Sequence, residues 1–427
     1  MSSGISLSQS PTTSVSCWPL LLALASVAAI AARDGSAALT VLMSVSPPAH
    51  ATRTVAQSAV REAMGAPRAV IYSPSALERR WAAGVAGWQA EGACAKMLDV
   101  HSSAGLDLVG GDVDGMDAAV LLVEALELQA QAVAAGGAAG GERGRAALDA
   151  YRDALRGPVS ALLSQLGSGP DSRGGASILL EPVWGLLRDP RMICQYFDPT
   201  SALVEPLLDT AMPPGMRYGA EPGHWFIGQY FLLDPFTLAA FSAARAAATP
   251  PPGVLPPRAL YFDAGASFFG DGFGLKPMLA YYAALGLEMD EAWAWEARNN
   301  INGGDFFTDA PLRIQSRTHF VNRPVSSDPG DKNNPLAVIA AVARPQDYVV
   351  FKLDIDNGAL EHELVRQLGE NATLLRLVDE FFFEDHVSVE EFRFFWSESY
   401  GGPRDLAAAH KLLAGLREKG VRAHAYP

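Results

Sequence analysis

Residues 349–360 read VVFKLDIDNGAL. Val349, Val350, Phe351 and Leu353 make a strongly apolar run of the kind that forms a fully buried strand of a parallel sheet. The run nevertheless finishes on Lys352, Asp354 and Asp356. Strand interiors seldom carry charge, because an unpaired ion taken out of water costs far more than a strand position returns. Both features agree if the charges lie at the open end of a buried parallel strand and face a ligand cleft.

Working outward from this stretch, short apolar segments alternate with helical ones over 259–427. ALYFDAGAS reads as a strand ending at Asp263 and a turn, and GLKPMLAYYAALGL as an amphipathic helix. EAWAWEA is a second strand ending at Glu296, and THFVNRPVS a third. NPLAVIAAVARPQD is a helix, YVVFKLDID the fourth strand, GALEHELVRQLGE a helix and LVDEFFFEDHV the fifth strand. DLAAAHKLLAGLREKG and VRAHAY close the chain as helix and strand. Such alternation predicts a doubly wound α/β sheet. Ligands of such sheets bind outside the carboxyl ends of the strands. That rule gathers Asp263, Glu296, Asp354 and the 384–386 region on one edge.

The remaining chain divides by composition. AATPPPGVLPPR (247–258) holds five prolines, a stiff spacer that places a linker at 248–258. Residues 51–247 are rich in Ala, Leu and Gly and read mainly as helix, of unassigned role. GMDAAVLLVEALELQAQAVAA (115–135) has few breakers, AAGGAAGGERG (134–144) reads as a flexible connection, and RAALDAYRDALRGPVSALLSQL follows as helix. The acidic run LDLVGGDVDGMD (106–117) lacks the spacing of a calcium loop and reads as a solvated turn. The aromatic stretches between 181 and 235 read as a packing interface or a substrate wall, with His224 beside Trp225.

The first 50 residues read as a signal, anchor or transit segment. A Ser/Thr-rich start precedes CWPLLLALASVAAIAA (17–32), an uncharged core shorter than a bilayer span and suited to a signal sequence. The expectation is secretory entry or membrane anchoring through 17–32; organellar import is the alternative. NAT at 371–373 fits a glycosylation acceptor. Cys17, Cys94 and Cys194 imply no disulfide framework. A net charge of −14, with no basic stripe, argues against nucleic acid as a partner.

Within the C-terminal segment, FDAGASFFGDGFG supplies glycines at 265, 270, 272 and 274 that let backbone turn tightly beside a ligand. Asp263 at the strand tip supports that loop or binds a ligand amine. Glu296 ends the next strand, 33 residues on, where a carboxylate accepts both hydroxyls of a ribose. Strand, Gly-rich turn, helix, strand and terminal acid together make a nucleoside site.

From about 259 to 390 the chain resembles the FkbM-type S-adenosylmethionine-dependent methyltransferases. FDAGASFFGDGFG is similar to the first motif of that family, FVNRPVS to its third-strand region, and DEFFFEDHV to its acidic fifth-strand end. VVFKLDIDNGALE resembles the fourth-strand signature, with Lys352, Asp354, Asp356, Gly358 and Glu361 at matching positions. The resemblance implies a Rossmann-like methyltransferase sheet and S-adenosylmethionine as cofactor, held by Asp263, Gly265, Gly270 and Glu296. The implied activity is methyl transfer to a glycan or other hydroxylated acceptor.

Such a reaction needs positioning and a base for the acceptor hydroxyl. Asp354 at the strand tip is the candidate base. Lys352 either joins the chemistry or forms a salt bridge holding the strand end to Asp354. His386 is a strand-end polar residue or the base itself. A divalent metal on Asp354, Asp356, Glu384 and His386 is a lesser possibility. Trp293 and Trp295 pack a strand face, or one of them stacks on adenine. Two further readings stand: an Asp-x-Asp glycosyltransferase using Asp354 and Asp356 with a metal, and a non-catalytic scaffold that binds a protein partner.

Overall fold

The computed structural model describes residue 72 and residues 115–157, 231–250, 253–270, 275–298, 306–308, 310–387 and 406–426. For 115–123 it gives the backbone only. All of these belong to one unit spanning Ala56–Pro427. The expectations about the N-terminal 50 residues, the three cysteines, the acidic run up to 114, the aromatic stretches up to 230 with His224, and Gly272 and Gly274 fall outside the described residues, while 115–117 begin a helix and not a turn.

Six strands form one wholly parallel sheet: β1 (Ala259–Ala264), β2 (Glu291–Trp295), β3 (Thr318–Val321), β4 (Tyr348–Leu353), β5 (Glu380–Phe383) and β6 (Arg422–Ala425). Their order is β3-β2-β1-β4-β5-β6. The chain therefore builds outward from β1 in one direction, then crosses back to β4 and builds in the other. The crevice between β1 and β4 is the switch point where such sheets bind ligands. The expected α/β class is present, with every strand of the sequence reading in place.

Local chemistry explains the elements. β1 and β4 are buried at every position, as parallel strands covered on both faces must be. Four of the described helices start on side-chain caps. Asp234 caps α3 (Pro235–Ala247) and Asn334 caps α6 (Pro335–Val342), each with proline at the first helical position. Asn357 caps α7 (Gly358–Glu370), so the Asn-Gly step after the charged strand end becomes a helix start. Asn371, of the NAT triplet, is exposed and caps α8 (Ala372–Leu377), a helix the sequence pattern does not single out. Three more helices among the described residues lie between or after the strands: α4 (Leu275–Ala284), α5 (Leu312–Gln315) and α9 (Leu406–Glu418).

Ahead of the sheet lie α1 (Gly115–Ala134) and α2 (Gly141–Arg156). Leu148, Tyr151 and Leu155 form the buried stripe of α2. Contacts cross the proline-rich stretch. Gln129 on α1 donates to the Phe231 carbonyl at 2.9 Å and accepts from the Leu233 amide at 2.8 Å, while the Tyr151 hydroxyl donates to the Leu233 carbonyl at 2.7 Å. Phe231 in turn packs edge-on against Phe382 of β5. Within the Gly-rich segment expected to be a flexible connection, Gly137–Ala139 form a 3-10 turn whose first residue is buried. Gly137 lies against α4 with φ 47°, where an added Cβ would sit 1.8 Å from the Ala284 carbonyl oxygen. Small size at this one position lets two helices approach, and the sequence offers no way to tell that from looseness.

Candidate active site

Strand register sets the rim. Ala264, Trp295, Leu353 and Phe383 end their strands side by side. The residue after each is Gly265, Glu296, Asp354 and Glu384, and all four line one cleft of about 650 Å³. Ser267, Arg298, Arg323, Asp356 and Asn357 contribute further polar groups to its walls.

The turn after β1 is wedged between its neighbours. The amides of Gly265 and Ala266 both donate to the Trp295 carbonyl, at 3.0 and 2.9 Å, while Asp354 donates to the Ala264 carbonyl at 2.9 Å. Gly265 has φ 90°, and a Cβ there would lie 1.4 Å from the Asp354 carbonyl oxygen. Only glycine fits this crossing, for both its conformation and its size. Gly270, placed with it in the sequence reading, is exposed and stands apart from the cleft wall.

Glu296 is 5% exposed and faces that turn. One carboxylate oxygen accepts from the Ser267 amide at 2.9 Å, the other from the Arg298 amide at 2.7 Å. The Arg298 side chain returns over the same group, donating to Glu296 through Nε at 3.2 Å and to the Ser267 hydroxyl through Nη2. Asn322 pins the exit of β2 by donating to the carbonyls of Glu296 and Arg298, both at 2.9 Å. Ser267, Arg298 and Asn322 are absent from the sequence reading. Nothing in their spacing distinguishes them, since their roles follow from the turn that β1 makes over β2.

Below the rim sits a buried ion cluster. Lys352, wholly buried, places Nζ 3.1 Å from Asp263, 3.0 Å from Asp354 and 3.1 Å from the Gly265 carbonyl. Burial works against its charge, but Asp263 and Asp354 outweigh burial and hold the ammonium above the ordinary lysine range. Burial pushes the Asp263 carboxyl up to about 6, against the pull of Lys352. Three oxygen partners and no exposure make Lys352 a positioning residue, the salt-bridge role weighed for it in the sequence. Asp263 likewise supports the turn from beneath and does not line the cleft. Asp354, with 15% of its side chain exposed, links this cluster to the cleft.

Beyond β4 the structure brings together three of the four residues weighed as metal ligands. Asp356, Glu384 and His386 each offer a donor atom, all within 4.8 Å of one another, while Asp354 is taken by Lys352. Glu361 at the start of α7 is wholly buried, with Oε1 accepting from the Ile355 amide at 2.8 Å. Burial pushes its carboxyl up to about 7. Trp293 stacks between Phe262 and His319, the packing role expected of it. Trp295 is in the cleft wall, and its indole N–H meets no acceptor among the described residues. No helix among the described residues is long and apolar enough to cross a membrane. No family model, no curated protein and no solved structure matches the chain.

Proposed function

We propose that the cleft binds S-adenosylmethionine and that the protein transfers a methyl group to a hydroxyl of a glycan or another small acceptor. One observation carries the reading. Glu296 leaves the second strand directly opposite the glycine turn of the first, its carboxylate held by two backbone amides and turned to a cleft. A carboxylate fixed there accepts the two hydroxyls of a ribose.

The residues fit a nucleoside in other respects. A cleft of about 650 Å³ is of the size that small-molecule sites have. Arg298 and Arg323 bring positive charge to its wall, suited to a ligand carboxylate. S-adenosylmethionine, when bound, supplies an electrophilic methyl group on a sulfonium. The protein's residues supply the placement. Lys352 fixes Asp354, and Asp354 orients the acceptor hydroxyl and takes its proton as the oxygen–methyl bond forms and the sulfur–methyl bond breaks.

A dinucleotide is the second reading, favoured by the strand order, which is that of dinucleotide-binding sheets. Against it, Gly265 is followed by Ala266 and Ser267, without the G-x-G-x-x-G spacing that seats a pyrophosphate. The sugar-nucleotide reading needs both Asp354 and Asp356 for a metal, and Lys352 engages the first. Calorimetry on the full chain separates these. S-adenosylhomocysteine is expected to bind saturably, and Glu296→Ala to weaken it by about tenfold or more. Binding of NADH, or of UDP with manganese, in its place would overturn the assignment in favour of that ligand. No binding of any of the three would favour the scaffold reading.

A further inference from the structure

We propose that the indole N–H of Trp295 donates to a ring nitrogen of the nucleobase, and so helps to set which base the cleft accepts. This inference rests on the nucleoside reading above and adds to it a residue and a recognised atom.

The first argument is an unmet donor. An indole nitrogen can only donate. Trp295 is 1% exposed, and its Nε1 is buried without an acceptor among the described residues. Buried donors in folded proteins are nearly always paired, because a group that gives up water and gains no partner destabilises the fold. Trp295 has no freedom to turn towards one. It ends β2, and its carbonyl accepts both the Gly265 and the Ala266 amides, which pins its backbone beneath the glycine turn. Trp293, two residues earlier on the same strand, stacks between Phe262 and His319. Trp295 instead belongs to the cleft wall, so the unmet donor lies where a ligand enters.

The second argument is the company it keeps. Val325, Ile355 and Leu360 line the same cleft. An apolar wall with one buried donor suits a flat heterocycle, whose faces are apolar and whose acceptors lie in the ring plane. A sugar placed there would bury hydroxyls against these side chains. Glu296 is the next residue in the chain, its Cα about 3.8 Å away. A nucleoside whose ribose is held by Glu296 therefore has its base within reach of Trp295. In adenine the exocyclic amine donates, so the atoms left to accept are ring nitrogens.

The test uses the full chain and calorimetry with S-adenosylhomocysteine and its 1-deaza, 3-deaza and 7-deaza analogues, each lacking one ring nitrogen of adenine. The wild-type chain is expected to bind one analogue more weakly than the parent by about fivefold or more. Trp295→Phe keeps an aromatic ring and removes the N–H. It should weaken the parent by a similar factor and no longer distinguish it from that analogue. Trp293→Phe should leave the discrimination intact, with circular dichroism and urea midpoints verifying that both variants fold. If S-adenosylhomocysteine binds, and Trp295→Phe either binds it as tightly as the wild type or still distinguishes every analogue as the wild type does, this inference is overturned and the cofactor reading stands. Equal binding of the parent and all three analogues by the wild type overturns it as well, even where Trp295→Phe fails to fold. No binding of the parent by the wild type overturns the cofactor reading, and this inference with it.

Discussion

Two glutamates bracket β5 and meet opposite fates. Glu380 opens the strand and is 1% exposed; Glu384 follows its last residue and is 2% exposed. At the opening end every oxygen is used. Glu380 Oε2 accepts from the Tyr282 hydroxyl at 2.6 Å and the Tyr348 hydroxyl at 2.8 Å, and Oε1 pairs with His424 at 3.0 Å. Burial would raise its carboxyl, but His424, Arg422 and Tyr282 outweigh burial and hold it below the usual glutamate range. At the closing end the acids crowd together. Glu384 stands beside Asp356 and His386, with one donor atom of each within 4.8 Å of the others, and Glu361 is raised by burial. Burial is equal at the two ends and access to the cleft is not. A buried polar network closed by hydroxyls and an imidazole holds a fold together, whereas buried carboxylates that line a cleft are placed to meet a ligand.

The largest effect expected from this contrast is at the closed end. Glu380→Ala leaves two tyrosine hydroxyls and an imidazole buried without their partner, and should cost about 3 to 5 kcal/mol in urea unfolding. If it cost less than about 1 kcal/mol, the opening end would not be the structural one. Gly265→Ala probes the rim. A Cβ placed against the Asp354 carbonyl, at a φ that suits glycine, should cost about 2 to 5 kcal/mol and displace the turn that faces Glu296.

Glu361→Gln sharpens the comparison through pH. A carboxyl raised from 4.5 to about 7 contributes stability that is fully present below about pH 4.5 and is lost as pH rises through about 7. The glutamine variant does not lose it. Relative to the wild-type chain it should gain about 1 to 3 kcal/mol at pH 8 and little at pH 4, read from denaturation midpoints at the two values. A flat difference across that range would mean the carboxylate already has its compensating charge. Gly286→Ala gives the smallest effect. Its φ is 101°, yet no atom lies within 4 Å of an added Cβ, so only the backbone term of about 1 kcal/mol remains.

What the sequence discloses follows from the kind of information each feature needs. The strands were legible because parallel strands covered on both faces are apolar throughout, as in YVVFKL, and the charges beyond them marked the open end. The rim position of Glu296 and Asp354 followed from one rule about where strands end. Asp263 illustrates the limit of that rule: two residues short of the rim, it is buried against Lys352 and serves the turn from below. Arg298, Ser267 and Asn322 were not legible, because their contacts depend on how one turn folds over the next strand. Gly137 carried a misleading signal, since a close helix contact and a flexible joint use the same residue.

The most direct test of the account is hydrogen–deuterium exchange on the full chain with and without S-adenosylhomocysteine. The account predicts slower exchange in peptides covering 265–268, 295–298 and 354–357, with no change in those covering 258–260 and 379–381 at the opposite strand ends. Protection confined to the opposite ends, or no protection anywhere at saturating ligand, would contradict it.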